Sequence, residues 1–167
     1  MSYDSAKADV EATLEETGLE YVDLYLIHAP YGGRDARLGA WKALVEAVEA
    51  GKVRSIGVSN YGVHHLEELE AWIQETDEKQ GKGKGGVLSV NQVELHPWLA
   101  RDDIVRWCRQ RGVVMEGFVI LPKTVTMSRI EENASLFDFK LDAEDMKSLD
   151  MGGEYAPCAW DPTVSRD

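Results

Sequence analysis

Polar side chains collect at the C-terminal ends of three apolar runs. His28 closes YVDLYLIH, Ser59 and Asn60 close VRSIGVSN, and Gln92 lies within LSVNQVELHP. Runs of this kind read as strands buried on both faces. An α/β barrel displays its chemistry from the C-terminal ends of such strands. By type alone, His28 also suits a hydrogen-bonded structural histidine, and Ser59-Asn60 a helix N-cap. A second group, Lys123, Thr124 and Arg129, surrounds the start of a helix expected near Ser128. Two cations there are either solvated surface charges or a phosphate site to which backbone N–H groups contribute. Phe118 sits in a continuous apolar run and reads equally as core. Cys108 and Cys158 form no metal-type spacing and no disulfide framework, and His64, His65 and His96 read as surface and turn residues.

The elements that must position these groups alternate. A helix capped by Asp4 or Ser5 runs to about Thr17, with Gly18 as its terminator. Strand Tyr21–His28 follows, then a helix from Asp35 to Ala50 with Leu38, Trp41, Leu44, Val45 and Val48 on one stripe. Strand Val53–Val58 leads to a helix from about His64 to Glu78, and Gly81–Gly86 reads as a flexible surface loop. Strand Leu88–Val93 leads to a turn at His96-Pro97. A helix beginning at Asp102 or Asp103 turns Ile104, Trp107 and Cys108 inward. Then the rhythm breaks: Gly112–Leu121 (GVVMEGFVIL) is one apolar run, with no helix inside it. A helix with a capping-box pattern at Ser128 and Glu131 follows, and a last one, capped by Asp142, spans about Ala143 to Leu149. The organisation is one α/β domain over residues 1–150 with five strands, and a loop-like tail over 151–167. No Gly-x-Gly-x-x-Gly follows any strand, so a Rossmann dinucleotide site is not supported.

Composition narrows the partners. The net charge of −12 argues against nucleic acid or an anionic membrane. No apolar run approaches the ~18 residues of a membrane span. Acidic, cysteine-poor and without a leader pattern, the chain suits a reducing, cytoplasmic compartment. At 167 residues it is shorter than the ~250 typical of a complete (β/α)₈ barrel.

The strings YVDLYLIHAP, GKVRSIGVSN, VNQVELHPWL and LPKTVTMSRIEEN, in this order, resemble successive barrel segments of the aldo-keto reductases. The resemblance covers about residues 5 to 150. It implies a TIM-barrel fold, here partial with about five of eight strands, and NADP(H)-dependent interconversion of aldehydes or ketones with alcohols. It further implies that His28 orients the substrate carbonyl. Ser59, Asn60 and Gln92 would hold the nicotinamide carboxamide, and Phe118 would stack on its ring. Lys123, Thr124 and Arg129 would bind the adenosine 2′-phosphate, with Glu132 and Asn133 near the adenine. Trp160 falls in the segment that in the family lines the substrate pocket.

Two departures qualify that inheritance. The family's first three strands, with its catalytic aspartate, tyrosine and lysine, have no counterpart in the sequence; Tyr3, Tyr21, Tyr25 and Tyr31 lie outside the tyrosine motif. The seventh and eighth strands read as fused through Phe118-Val119. Two readings therefore stand beside an active reductase: a non-catalytic NADP(H)-binding or interaction remnant, and a chain with no function of its own that folds poorly or needs a partner to cover its open sheet edges. Self-association through the edges at Tyr21–His28 and Val113–Leu121 is expected.

Overall fold

The computed structural model describes residues 1–116, 124–135, 140–150, 152–158 and 160–166. Its centre is a four-stranded, fully parallel sheet in the order β1 (Val22–Ile27), β2 (Val53–Ser59), β3 (Leu88–Gln92), β4 (Val114–Glu116). Helices α1 (Tyr3–Thr17), α2 (Gly33–Glu49), α3 (Val63–Gln80) and α4 (Asp102–Arg111) alternate with the strands. After β4 come α5 (Ser128–Ala134), α6 (Ala143–Leu149) and a 3₁₀ turn at Pro162–Val164. This is an α/β fold built as sequential strands of a barrel wall. Five strands were expected and four occur among the described residues. The segment expected to fuse two strands is a strand over Val114–Glu116, and its continuation through Phe118 to Leu121 lies outside the described residues. Among the described residues, no helix is long and apolar enough to cross a membrane.

The apolar stripe of α2 does what its period requires. Leu38, Trp41, Leu44 and Val45 are buried, and the Trp41 indole donates to the Gly85 carbonyl at 2.9 Å. Gly81–Gly86, read from sequence as a flexible loop, is pinned at that end. The Asp77 carboxylate accepts from the N–H groups of Gly83 and Gly85 at 2.9 and 2.6 Å. The first helix starts earlier than expected: Ser2, not Asp4 or Ser5, is the cap, in a reciprocal box with Ser5. Ser128 likewise lies inside α5, with Met127 as the capping position and no side-chain cap. Asp142 caps α6 as expected, accepting from the N–H groups of Glu144 and Asp145. Ile104, Trp107 and Cys108 of α4 are buried as expected.

His65 is a correction. It is buried rather than on the surface, and its Nδ1 accepts from the Gly62 N–H at 3.2 Å. Burial, with His64 and Arg37 close by, holds its imidazole down at about 4, so it is neutral near pH 7.

Gly57 marks where the wall is tightest. A Cβ there would stand 2.5 Å from the Val90 carbonyl oxygen and 2.8 Å from Leu26 Cδ2, beside a register irregularity between Ile56 and Gly57. Backbone cannot yield to a methyl group as a flexible side chain can. Gly57→Ala is therefore expected to lower the free energy of unfolding by about 1–3 kcal/mol, the usual range for overpacking. Urea unfolding checks this; an unchanged midpoint would mean that β2 and β3 lie farther apart than described.

Candidate functional site

The C-terminal ends of β1, β2 and β3 are tied together by two adjacent residues. Ser59 Oγ donates to the Gln92 carbonyl at 2.9 Å. Asn60 N–H donates to the same carbonyl at 2.8 Å. The Asn60 side-chain amide then donates in the other direction, to the His28 carbonyl at 2.9 Å and to Ser59 Oγ at 3.0 Å. Asn60 reaches both neighbours because its backbone is left-handed, with φ 61°. Asparagine tolerates that region better than most residues with a Cβ. One turn of chain at the end of β2 thus spans three strands. Ser59 is 3% exposed, Asn60 and Gln92 are half-buried, and the His28 side chain is exposed above them.

Below this layer the chain repeats the device with a buried amide. Asn91 donates to the Tyr61 carbonyl at 3.0 Å and accepts from the Tyr61 N–H at 3.4 Å. Tyr61 itself is buried and its phenol is pushed up strongly by burial, so it remains protonated throughout the ordinary pH range.

The C-terminal segment closes one side of the site. The Trp160 ring meets the His28 ring edge-on, with centroids 5.9 Å apart and planes at 80°. It also lies 6.0 Å from the Tyr31 ring. Arg101 holds this segment. Its guanidinium makes a two-pronged pair with Asp161, at 2.9 and 3.1 Å. It also donates to Tyr155 Oη at 2.6 Å and to Thr163 Oγ1 at 2.8 Å. The Arg101 and Asp161 side chains are only 3% and 10% exposed. Gly62 receives the far end of the segment: a Cβ there would fall 2.0 Å from the Thr163 carbonyl oxygen. The region expected to be a loop-like tail is therefore a docked strap. Arg101 and Asp161 were not singled out from sequence, because nothing local pairs residues 60 apart.

The sequence-derived site divides into two parts. The structure brings His28, Ser59, Asn60 and Gln92 to one edge of the sheet and adds Trp160. Phe118 and Lys123 lie outside the described residues. Thr124 Oγ1 accepts from the Thr126 N–H at 3.0 Å, in the turn that enters α5. Arg129 and Glu132 are exposed on α5, Asn133 is half-buried, and α5 has no buried residue.

The first part fits a carboxamide chemically. Ser59 Oγ uses its proton on Gln92 and one lone pair on Asn60, which leaves a second lone pair. The Asn60 side-chain N–H groups are spent on the His28 carbonyl and Ser59 Oγ, so what the amide can still offer is its oxygen, an acceptor, and a glutamine such as Gln92 carries both functions by type. His28 offers an exposed ring nitrogen beside an aromatic wall.

The aldo/keto reductase family model matches residues 1–121. An uncharacterized oxidoreductase of Saccharomyces cerevisiae, YJR096W, is 35% identical over 200 positions, covering 96% of this chain and 68% of the relative. Glyoxal reductase of Bacillus subtilis is 34% identical, covering 89% of this chain and 63% of that protein. Among solved structures, the deep-sea metagenome aldo-keto reductase MGS-M4 superposes with a TM-score of 0.78 at 26% identity, over 100% of this chain and 72% of that one. The chain thus spans about two thirds of the length of these curated relatives. An alignment of 200 positions over 96% of 167 residues also leaves roughly 40 positions that the yeast relative fills and this chain does not.

The strap gives a prediction with a defined sign. Burial raises the Asp161 carboxyl, but Arg101, Thr163 and Tyr155 outweigh it and hold the group down at about 2. An unfolded aspartate titrates near ~3.9. The stabilisation is therefore present above that value and is lost as pH falls from there through about 2. Mass-spectrometric hydrogen exchange across this range should show residues 160–166 losing protection before the sheet does. Arg101→Met should release the same residues near pH 7, because an unpaired buried carboxylate is costly and undocking relieves it. Unchanged protection in the variant would contradict the anchoring role.

Chain order, strand-end chemistry, fold and extended identity converge on one assignment: this chain belongs to the aldo/keto reductase family.

Proposed function

We propose that this chain carries the nicotinamide-gripping and carbonyl-orienting side of an NADP(H)-dependent reductase site, and that by itself it does not turn over. The observation that carries the reading is the strand-end clamp: Ser59, Asn60 and Gln92 fixed relative to one another, with His28 and Trp160 above them. When bound, the reduced nicotinamide would supply hydride to a carbonyl carbon. The chain's own part is to hold and orient. Ser59 and Asn60 accept from the carboxamide N–H groups, and Gln92 completes the grip. The His28 ring N–H donates to the carbonyl oxygen as negative charge develops there. Trp160 and Tyr31 give an apolar wall suited to a small aldehyde or ketone, the class in which relatives named glyoxal reductase and methylglyoxal reductase act.

The proton for the resulting alkoxide has no donor matched to the family's tyrosine in this sequence. General acid–base catalysis is typically worth ~10²–10⁴-fold, so its absence separates binding from turnover. Lys123, Thr124 and Arg129 are assigned to the 2′-phosphate, and Glu132 and Asn133 to the adenine side. Their motif supports this, as does the exposure of Arg129 at the start of α5.

Two measurements test the reading. NADPH oxidation with methylglyoxal and a panel of aldehydes and ketones should fall far below the ~1 s⁻¹ of an ordinary slow enzyme. Turnover at that level would require an acid among the tyrosines and would overturn the non-catalytic part. Calorimetry should show NADPH preferred over NADH, with the preference reduced about tenfold in Arg129→Ala, as for loss of a charged hydrogen bond. Equal affinities, unchanged in the variant, would contradict the phosphate assignment. Light scattering alongside should show a concentration-dependent mass, since β1 has a pairing strand on one side only among the described residues.

A further inference from the structure

Behind Trp160 the same strap meets the loop that follows β3, and there three ligand-type atoms converge from distant parts of the chain. His96 Nε2 lies 2.9 Å from Glu94 Oε1 and 3.4 Å from Cys158 Sγ. Glu94 Oε1 also accepts the Cys158 backbone N–H at 2.7 Å. The carboxylate oxygen, imidazole nitrogen and thiol sulfur all lie within 4.8 Å of one another. We propose that Glu94 Oε1, His96 Nε2 and Cys158 Sγ form a binding site for a zinc-type divalent cation, which staples the C-terminal strap to the loop after β3.

The distances suit the ion. Zinc takes imidazole nitrogen at ~2.0–2.1 Å and thiolate sulfur at ~2.3 Å, so tetrahedral geometry sets those two ligands roughly 3.5 Å apart. The observed 3.4 Å is close to that edge. The oxygen–nitrogen pair is shorter because it now shares a proton; a metal in its place needs an opening of about half an ångström. The ligand set of one thiolate, one imidazole and one carboxylate selects zinc-like ions over magnesium or calcium. Three protein ligands leave a fourth position for water. The charges also balance: carboxylate and thiolate match a divalent ion, and the nearby cation, Arg101, is already paired with Asp161.

The three atoms are placed by bonds that do not depend on a metal. His96 and Leu99 exchange backbone hydrogen bonds across a tight turn, at 2.8 and 3.4 Å, which fixes the main chain that carries the imidazole. Leu99 bridges to Tyr155, and the Ala156 N–H donates to the Trp98 carbonyl at 2.9 Å. With the Arg101–Asp161 pair on the other side, Cys158 is held between two anchors. Cys158 is exposed, and Glu94 and His96 are half-buried, so an ion has a path in. Binding releases the thiol proton to solvent, and the ring proton of His96 passes by exchange with water from Nε2, where Glu94 now accepts it, to Nδ1, a buried atom with no hydrogen-bond partner among the described residues. Because Trp160 follows Cys158 by two residues and meets the His28 ring edge-on, the staple would also steady that wall of the pocket.

Cobalt(II) is the probe, added to the reduced full-length chain in a non-coordinating buffer. One equivalent should produce tetrahedral visible bands and a near-ultraviolet thiolate-to-cobalt charge-transfer band, both displaced by zinc. Cys158→Ser should abolish the charge-transfer band and weaken zinc affinity by more than about tenfold; His96→Ala should weaken it similarly. Cys108→Ala should leave both unchanged, and circular dichroism verifies that each variant is folded. In limited proteolysis zinc should protect bonds after residue 150 in the natural chain and not in Cys158→Ser. No charge-transfer band, a band that survives Cys158→Ser or disappears in Cys108→Ala, or zinc without effect on proteolysis would overturn the proposal.

Discussion

A parallel sheet has no hairpins to hold its strand ends in register, so whatever is displayed there depends on a tie across the strands. In this chain the tie is Asn60. Its left-handed backbone turns the chain out of β2, its N–H joins the carbonyl that Ser59 also engages on β3, and its side-chain amide crosses to β1. Every group offered to a ligand follows from that arrangement. The Ser59 proton is committed to the Gln92 carbonyl, and His28 is held at the site by its own carbonyl. A substitution at Asn60 would cost more than one hydrogen bond, since three strand ends lose their common reference.

The second constraint is Arg101, which also adopts a left-handed backbone, φ 51°, immediately before α4. A positive φ at a residue with a Cβ persists only when surrounding contacts enforce it. Here they are Asp161, Tyr155 and Thr163, all from the strap. The strap in turn brings Trp160 to His28. The two left-handed residues therefore do complementary work: one fixes the floor of the site and the other fixes its wall. Neither supplies a proton.

What could be read from sequence follows the range of each interaction. The strands were legible because a strand buried on both faces must be an unbroken apolar run, and the α2 stripe because a one-sided helix must repeat near 3.6 residues. Gly18 and Asp142 were legible as helix ends, since a left-handed glycine and an aspartate cap are local solutions to unpaired backbone groups. Ser2 was passed over because Asp4 and Ser5 are equally good cap formers by type. The burial of His65 depends on packing by the Gly62 turn, and that of Asp161 on an arginine 60 residues away. The meeting of His96 with Cys158 likewise depends on how the strap docks, which no periodicity encodes. Resemblance located His28, Ser59, Asn60 and Gln92 correctly at strand ends. It could not reveal that Ser59 and Asn60 spend their donors on the backbone carbonyls of His28 and Gln92 and on each other.

The most direct test of the clamp is residue-resolved. Backbone and side-chain amide signals of the ¹⁵N-labelled chain, followed by NMR during titration with NADPH, report where the nicotinamide end settles. The largest shifts should fall on His28, Ser59, Asn60 and Gln92, on the Asn60 and Gln92 side-chain amides, and on the Trp160 indole. Shifts that spare the ends of β1, β2 and β3 at saturating NADPH would contradict it.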